Sequence, residues 1–263
     1  MDITTINYAS PGASFTERTN NYILAFYNVA HKYSNKEWLF SEYRTCVANE
    51  SGLDMSNARN IFPLLRNYGF IKYEKNSLIK SDEFFTNTGN AYIEVIHSLA
   101  KCNETDSESL KIRQQLQNIK KEMLYNGLWK SLQSDETTYK IGLLYILKFL
   151  RKFKSIDKTE CAYLFSATLN DNKNYLNAIE ENIYLYRDNK LDINVKARVK
   201  DKSKRGEDVY KYTGIQSFTA FGYLINLICE AGLVVKNKNR YIVIEAAYDK
   251  LIDLIKGVEN NGN

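Results

Sequence analysis

The feature of this sequence that most constrains its fold is one order of patterns that occurs twice. In each half, an amphipathic helix pattern ends at a glycine that apolar residues follow, in Tyr68-Gly69-Phe70-Ile71 and in Ala231-Gly232-Leu233-Val234. Helix patterns precede this point, and a hairpin and a closing helix follow it. This succession is typical of a winged helix, a variant of helix-turn-helix. The repetition predicts an α+β, mostly helical protein with two winged-helix units joined by a helical connector.

The first unit is predicted within residues 1–103, where residues 1–14 are polar and are expected to be irregular. Pro63 lies inside the third helix pattern of this unit and is expected to kink it. The predicted elements are a helix that starts at a capping box in 14–17, a helix over about 37–48, a helix from Asp54 or Ser56 to about 68, a hairpin of strands 70–73 and 77–80, and a helix over 88–99.

The second unit is predicted within residues 135–263, after a helical connector at 104–134. Its first helix is apolar nearly all round, which is typical of a central helix. The predicted elements are helices over 139–153, 157–168, 175–186 and 216–230, a hairpin of strands 233–235 and 241–244, and a helix over 246–255. A basic insertion at 190–211 precedes the fourth of these helices and is expected to be a loop.

Composition argues for a soluble, cytoplasmic protein. Hydrophobic residues make up 44% of the 263 residues and charged residues 25%, which is the balance of a globular chain. The longest apolar run, Ile141–Leu147, is far shorter than the roughly 20 residues of a membrane span. The N-terminus lacks the basic and apolar regions of a signal peptide.

Several kinds of catalytic and metal site are not expected. The four cysteines are single, without the paired spacing of zinc sites, and there are only two histidines, His31 and His97. No Glu-x-Lys occurs, and both Asp-x-Lys motifs, Asp171/Lys173 and Asp188/Lys190, lie in polar turns rather than on strands. Phosphate-binding glycine loops are also missing. The sequence therefore predicts neither a catalytic residue nor a resident metal or cofactor.

Positive charge is concentrated in one segment. Residues 196–211 contain seven basic and three acidic side chains, a net charge of +4, in a chain whose formal net charge is +5. The segment lies just before the second predicted recognition helix. It is interpreted either as a solvated loop or as an arm that orders on DNA phosphates.

Candidate DNA contacts follow from the docking geometry of helix-turn-helix proteins. Arginine and asparagine on a recognition helix read guanine and adenine edges, and wings need only cations to contact the backbone. The candidates on and before the two helices are Ser56, Asn57, Arg59, Asn60, Arg66, Gln216, Ser217, Thr219 and Tyr223. The candidates on the hairpins and in the basic insertion are Lys72, Lys75, Lys80, Lys236, Lys238, Arg240, Lys196, Arg198, Lys200, Lys202, Lys204, Arg205 and Lys211.

Several motifs resemble the DNA-recognition region of type IIS restriction endonucleases and related nicking endonucleases. In the second half they are Gly142–Leu147, Asp157–Phe165, Thr168–Asn172 and the basic segment 196–205, followed by Tyr210–Gly214. In the first half, 58–60, 66–71 and 86–89 are similar. The resemblance covers roughly residues 8–255 at the level of pattern.

The resemblance implies a tandem winged-helix module that recognises a short asymmetric site in double-stranded DNA. In that family the cleavage domain follows on the C-terminal side or belongs to another subunit, and only that domain would need Mg²⁺. Because the sequence ends at Asn263 without one, it is expected to be a recognition fragment or a specificity subunit with a nuclease partner. The alternatives are a transcription regulator or plasmid replication initiator, which also use tandem winged helices, and a protein-interaction adaptor that binds no DNA.

Overall fold

The computed structural model describes residues 1–74, 77–102, 107–169, 174–204, 206–207 and 209–260. These residues form an α+β structure that is mostly helical, as the sequence predicts. Among them, no helix combines the length and the apolar character needed to cross a bilayer.

Two compact units divide the chain, with boundaries that differ from the predicted 1–103, 104–134 and 135–263. The C-terminal unit comprises Met1–Ser10, Thr138–Cys229 and Leu233–Asn263, and the N-terminal unit comprises Pro11–Thr137 and Glu230–Gly232. The first ten residues belong to the C-terminal unit because β1 (Asp2–Ile6) pairs with a strand of that half. The predicted connector helix belongs to the N-terminal unit.

The N-terminal unit contains five helices and two short strands among the described residues. They are α1 (Glu17–Lys32), β2 (Glu37–Trp38), α2 (Phe40–Ser51), α3 (Ala58–Asn67), β3 (Ile79–Lys80), α4 (Asn87–Lys101) and α5 (Ser107–Gln133). A 3₁₀ turn, Met55–Asn57, precedes α3 and is capped by Asp54. Pro63 lies inside α3.

Aromatic side chains form much of the core of this unit. The ring of Phe62, on α3, lies 4.9 Å from that of Phe26 and 5.3 Å from that of Phe84. The Tyr43 ring lies 5.4 Å from that of Phe84, and its buried hydroxyl donates a hydrogen bond to the carbonyl of Phe26. The buried face of α3 is therefore fixed against α1 and α2, and its other face is exposed to solvent.

Two predicted helix starts in this unit are wrong by a few residues. The N-cap of α1 is Thr16, whose hydroxyl accepts from the Thr19 amide, rather than Ser14. Helix α2 begins at Phe40 and not near Glu37, because Glu37 and Trp38 are extended and pair with β3.

The predicted hairpin of strands 70–73 and 77–80 is also wrong. Ile79 and Lys80 pair with Trp38 and Glu37 instead, and Ile71 forms an isolated bridge to Phe85. The indole N–H of Trp38 donates to the Ser81 hydroxyl at 2.9 Å, which anchors this pairing inside the protein.

The C-terminal unit contains β1 and, from residue 138 onward, the remaining described elements. They are α6 (Lys140–Phe153), β4 (Ser155–Asp157), α7 (Lys158–Thr168), α8 (Tyr175–Ala178), α9 (Glu180–Arg187), β5 (Asn194–Lys200), β6 (Tyr210–Gly214), α10 (Ala220–Glu230), β7 (Val234–Asn237), β8 (Arg240–Val243) and α11 (Tyr248–Asn260). Glu230, the last residue of α10, is grouped with the N-terminal unit. Helix α10 starts at Ala220, later than the predicted residue 216, because Ile215–Ser217 form a 3₁₀ turn.

Strands β4, β8 and β7 form an antiparallel sheet in that order. The predicted second hairpin is confirmed, since Asn237 pairs with Arg240 across a two-residue turn. Lys238, in this turn, has a φ of 52°, the left-handed conformation that tight hairpin turns require. The side chains of this hairpin are thus held at defined positions.

Gly69 and Gly232 occupy the equivalent positions that the sequence predicts. Both have a φ of 74°, which costs a glycine little. In each case the next amide reaches back to the helix, Phe70 N–H to the Leu65 carbonyl at 2.8 Å and Leu233 N–H to the Ile228 carbonyl at 3.1 Å. Both helices therefore end in the same way.

A second sheet, in the order β1-β5-β6, was not predicted. Strand β1 runs parallel to β5, and β5 and β6 are antiparallel. The expectation that residues 1–14 are irregular is wrong for β1, and the expectation of a loop over 190–211 is wrong for β5 and for Tyr210 and Lys211 of β6. Burial alternates in β1 and β5: Ile3 and Thr5 are buried on either side of exposed Thr4, and Ala197 is buried between exposed Lys196 and Arg198.

Candidate nucleic-acid interface

Three cations of β5 share one exposed face. Lys196, Arg198 and Lys200 occupy every second position of β5 and are exposed, whereas Ala197 is fully buried and Val199 is half-buried. Successive side chains of a strand point to opposite faces of the sheet, so the three cations form a row about 7 Å apart. The backbone of β5 therefore turns a charge-rich segment into an ordered basic surface.

Strand β6 adds two tyrosines to the same face. Arg198 pairs with Tyr212 and Lys200 with Tyr210, and directly paired residues lie on one face. Tyr210 is 41% exposed and Tyr212 is 60% exposed. The guanidinium carbon of Arg198 lies 4.0 Å from the centroid of the Tyr210 ring, a cation–π contact. We call this surface, made of Lys196, Arg198, Lys200, Tyr210 and Tyr212, the basic–aromatic face.

An open cleft of about 980 Å³ adjoins this face where β1 ends. Arg198, Lys200, Lys202 and Lys211 all line it. At its rim, Asp201 accepts hydrogen bonds from the amide and hydroxyl of Ser203, which lower the pKa of the Asp201 carboxyl. The cleft is therefore rich in cations that a phosphate backbone could neutralise.

Asn7 fixes the segment before α10 to the end of β1. Its side-chain amide donates to the Ser217 carbonyl at 3.3 Å, and its carbonyl oxygen accepts from the Ala220 amide at 3.2 Å. Sequence reasoning missed Asn7, since it follows a strand that was not predicted. Ser217 and Thr219 also line the cleft, so the start of α10 and the basic insertion meet there.

A second, smaller cleft of about 370 Å³ lies along the exposed side of α10. Gln216, Thr219 and Tyr223 line it, and all three are exposed candidates from the sequence. Lys158, the first residue of α7, and Asn226 complete its polar lining. The polar side chains at the start of α10 and the cation at the start of α7 therefore line the same cleft.

The β7–β8 hairpin presents two of its three candidate cations to solvent. Lys236 and Lys238 are exposed. Arg240 is instead engaged within the protein, donating to Glu160 at 2.8 Å and to Asp157 at 2.9 Å. Arg240 therefore has a structural role, and its assignment as a DNA contact stays a prediction.

The partners of Arg240 form a buried network at the start of α7. Asp157 caps α7 by accepting from the Glu160 amide at 2.8 Å, and the fully buried Glu160 carboxylate reaches back to the Asp157 amide at 3.0 Å. Arg187 adds a second guanidinium at 2.7 Å from Glu160. Burial raises the pKa of Asp157, with Glu160 adding to this effect.

The candidates at the start of α3 lie on its exposed side. Ser56 and Asn57 belong to the preceding turn and are exposed, as is Arg59. Ser56 donates its hydroxyl to Asp54 at 2.9 Å, and Asn60 is partly buried against Gly12. Of these residues, Arg59 and Asn57 present their side chains most openly.

The other N-terminal candidates are more dispersed. Arg66 pairs with Glu136 at 3.1 Å, and Lys80 lies 3.9 Å from Glu37. Lys72 is exposed in a segment that is not a strand. The remaining candidates Lys75 and Arg205 lie outside the described residues.

Among the described residues, His, Cys, Asp and Glu side chains do not gather in groups of three or more that could hold a metal ion. Asp188 and Lys190 form an exposed ion pair at 3.1 Å after α9, and Asp171 and Lys173 lie outside the described residues.

Comparisons with models of known protein families, with curated proteins and with solved structures gave no match.

Proposed function

We propose that this protein is a sequence-specific double-stranded DNA-recognition module or subunit of a type IIS-like restriction or nicking endonuclease. In this proposal the nuclease belongs to a separate domain or subunit, which would supply any Mg²⁺ chemistry. The target is a short asymmetric site bound by one copy of the chain.

The order of elements in the C-terminal unit is the observation that carries the proposal. The elements follow one another in the order helix (α6), strand (β4), helix (α7), helix (α10) and two strands (β7 and β8). An insertion lies between α7 and α10. Strand β4 pairs with β8 as the third strand of the hairpin sheet. This order supports a winged helix, and we propose α10 as its recognition helix and β7–β8 as its wing.

The chemistry of the exposed side of α10 suits base recognition. In helix-turn-helix docking, the N-terminal part of the recognition helix meets base edges in the major groove. Gln216, Thr219 and Tyr223 lie at that end, and glutamine can bind adenine through two hydrogen bonds. The buried residues on the opposite side, such as Leu224 and Ile228, commit α10 to this orientation.

Phosphate contacts would come from cations on either side of α10. Lys236 and Lys238 lie on the wing, and Lys202 and Lys211 lie in the cleft beside the start of the helix. Such contacts set the register of a protein on DNA without reading its sequence. The basic insertion is then a positioning surface and not only a solvated loop.

The N-terminal unit repeats part of this arrangement. Helices α1, α2 and α3 with strand β2 follow the same order, and Arg59 is exposed in the first turn of α3. Glu50, the carboxylate that could have held Arg59, binds Lys32 at 2.6 Å and Tyr33 instead. We therefore propose α3 as a second recognition helix, with Arg59 as its guanine-reading residue.

Selection of bound sequences from a random duplex pool tests the proposal directly. The expected result is an asymmetric consensus bound by a monomer, with affinity that falls as salt rises. A palindromic consensus bound by a dimer would instead indicate a transcription regulator or a replication initiator. A lack of salt-dependent binding would indicate a protein-interaction adaptor.

Single-residue variants then separate base reading from general binding. Arg59→Ala or Gln216→Ala should weaken the cognate duplex by about 1–3 kcal/mol and relax the preference at one base pair each. Random DNA should be bound nearly as well as before. Lys256→Ala, which removes an exposed cation from α11, is the matched control and should change neither quantity.

A further inference from the structure

The two tyrosines of the basic–aromatic face are not accounted for by duplex binding. Phosphates of a duplex require only cations and hydrogen-bond donors, and the flat faces of paired bases are covered by their stacked neighbours. Tyr212 is nevertheless 60% exposed, directly across from the middle cation of the row, Arg198. Tyrosine combines a large apolar ring with a polar hydroxyl, which is why it is enriched at interfaces.

We infer that the basic–aromatic face binds an unpaired DNA strand, with a base stacked on Tyr212 and the backbone held by Lys196, Arg198 and Lys200. Aromatic platforms combined with positive charge are the common basis of single-strand binding. The inference names a further partner for the surface that the proposed function assigns to DNA phosphates, and in that sense it rests on the proposed function.

The spacing of the side chains favours an extended strand over a duplex. Tyr210 and Tyr212 are two residues apart on β6, so their Cα atoms are separated by about 7 Å. Stacked bases in a duplex strand are about 3.4 Å apart. Two neighbouring bases can therefore stack on Tyr210 and Tyr212 only when they are no longer stacked on each other.

Contacts within the face prepare Arg198 and Tyr210 for this role. The Arg198 guanidinium lies over the Tyr210 ring at 4.0 Å, which restricts both side chains before any ligand binds. The more exposed Tyr212 lies directly across from Arg198 in the strand register. A base stacked on Tyr212 would therefore have its phosphate within reach of a preordered cation.

Fluorescence anisotropy of the full chain with a labelled 12-nucleotide oligothymidylate, which cannot pair with itself, tests the inference. Tyr212→Ala should weaken oligothymidylate binding about tenfold or more, as expected for one lost stacking contact. Tyr212→Phe keeps the ring and should bind within about twofold of the wild type. Tyr184→Ala removes a tyrosine of α9 that is 50% exposed and should leave binding unchanged.

The same variants are measured on a duplex that carries the selected site, and their folding is checked by circular dichroism. The inference would be overturned if Tyr212→Ala did not weaken the binding of oligothymidylate. It would also be overturned if Tyr212→Ala weakened the binding of oligothymidylate and of the selected duplex equally. Wild-type binding to the selected duplex without any binding to oligothymidylate would overturn the inference and leave the proposed function standing. Oligothymidylate binding that depends on Tyr212, together with no preference for any duplex sequence, would support the inference and contradict the proposed function.

Oligouridylate of the same length separates the two kinds of single strand. Comparable binding of both oligonucleotides supports a contact through bases and phosphates alone. Binding of oligouridylate that is tenfold tighter or more would overturn the assignment to DNA, because the 2′-hydroxyl would then be recognised.

Discussion

Residues 70–80 and residues 233–243 follow equivalent glycines, yet within the described part of the chain only the second segment forms a hairpin. In the C-terminal segment, buried Val234 precedes exposed Val235, and a two-residue turn returns the chain to β8. In the N-terminal segment, Phe70 and Ile71 are both buried, and β3 pairs with β2. Leu233 and Val234 are also both buried, so the burial of the first residues does not distinguish the two segments, whereas the strand with which each one pairs does.

This difference has a consequence for the proposed DNA contacts. Lys236 and Lys238 are carried on a paired hairpin, whereas Lys72 lies in a segment without strand structure. A fixed cation loses less conformational freedom when it binds a phosphate. The C-terminal hairpin should therefore contribute more to DNA binding than the corresponding N-terminal segment.

The largest expected effect separates two cations near the tip of the β7–β8 hairpin, Lys238 in the turn and Arg240 directly after it. Arg240→Ala removes one of two guanidinium partners of the buried Glu160 and should lower the free energy of unfolding by about 3 kcal/mol. The slope of log affinity against log salt should stay the same. Urea denaturation followed by circular dichroism, and DNA titrations at several salt concentrations, measure the two quantities.

Lys238→Ala is the matched variant and should behave in the opposite way. Its side chain is exposed, so stability should change little, while the salt slope should fall by about 0.9 for the one lost phosphate contact. If Arg240→Ala changed the slope without loss of stability, Arg240 would be a DNA contact after all.

The second prediction concerns the ends of the helices before the two glycines. Helix α10 ends in Glu230, whose carboxylate accepts from the Phe15 amide at 2.6 Å, whereas α3 has Arg66 in its last turn. Burial raises the pKa of Glu230 to about 7, although the Phe15 amide and Lys120 oppose the shift. Because the folded state holds this proton more tightly than the unfolded state, stability falls as the pH rises from about 4.5 to about 7.

Glu230→Gln should remove this pH dependence while keeping an acceptor for the Phe15 amide. The shift to a pKa of about 7 already includes the attraction to Lys120, so the variant should be more stable than the wild type by about 3 kcal/mol at pH 8. At pH 4 the variant and the wild type should be equally stable. A variant that unfolds at the same urea concentration as the wild type at pH 8 would refute the expectation.

The third prediction tests what holds β3 to β2 in place of a hairpin. Ser81→Ala leaves the buried indole N–H of Trp38 without its hydrogen-bond acceptor and should cost about 1–2 kcal/mol. Trp38 and Trp129 are the only tryptophans of the chain and both lie in the N-terminal unit, so fluorescence reports on that unit alone. Ser77→Ala, in an exposed turn, is the control; an equal loss there would contradict the anchoring role of Ser81.

The fourth prediction tests whether the two helix ends are equivalent. Gly69→Ala and Gly232→Ala each force a side chain into the left-handed region and should cost about 1–2 kcal/mol. Gly52→Ala, at a φ of 68°, provides a third example with open space around the added carbon. Closely similar losses at all three positions would show that backbone conformation dominates, and a much larger loss at Gly69 would implicate its close neighbour Lys130.

The candidate interface was only partly predictable from the sequence. The cations Lys196, Arg198 and Lys200 were identified by their charge, but their alternation with Val195, Ala197 and Val199 was a signal of a strand that the charge obscured. Tyr210 and Tyr212 were not among the candidates for the same reason. Asn7 could not be found without knowing that β1 ends beside α10.

The sequence by itself determined the elements whose signals are local. Amphipathic helices, the glycines that end them, the Asp157 cap and the β7–β8 hairpin all depend on residues within a few positions of one another. Tertiary structure decided the pairing of β1 with β5 and the capture of Arg240 by Glu160, which join residues far apart in the chain. Such pairings depend on which distant groups are buried together, and a local pattern does not specify that partner.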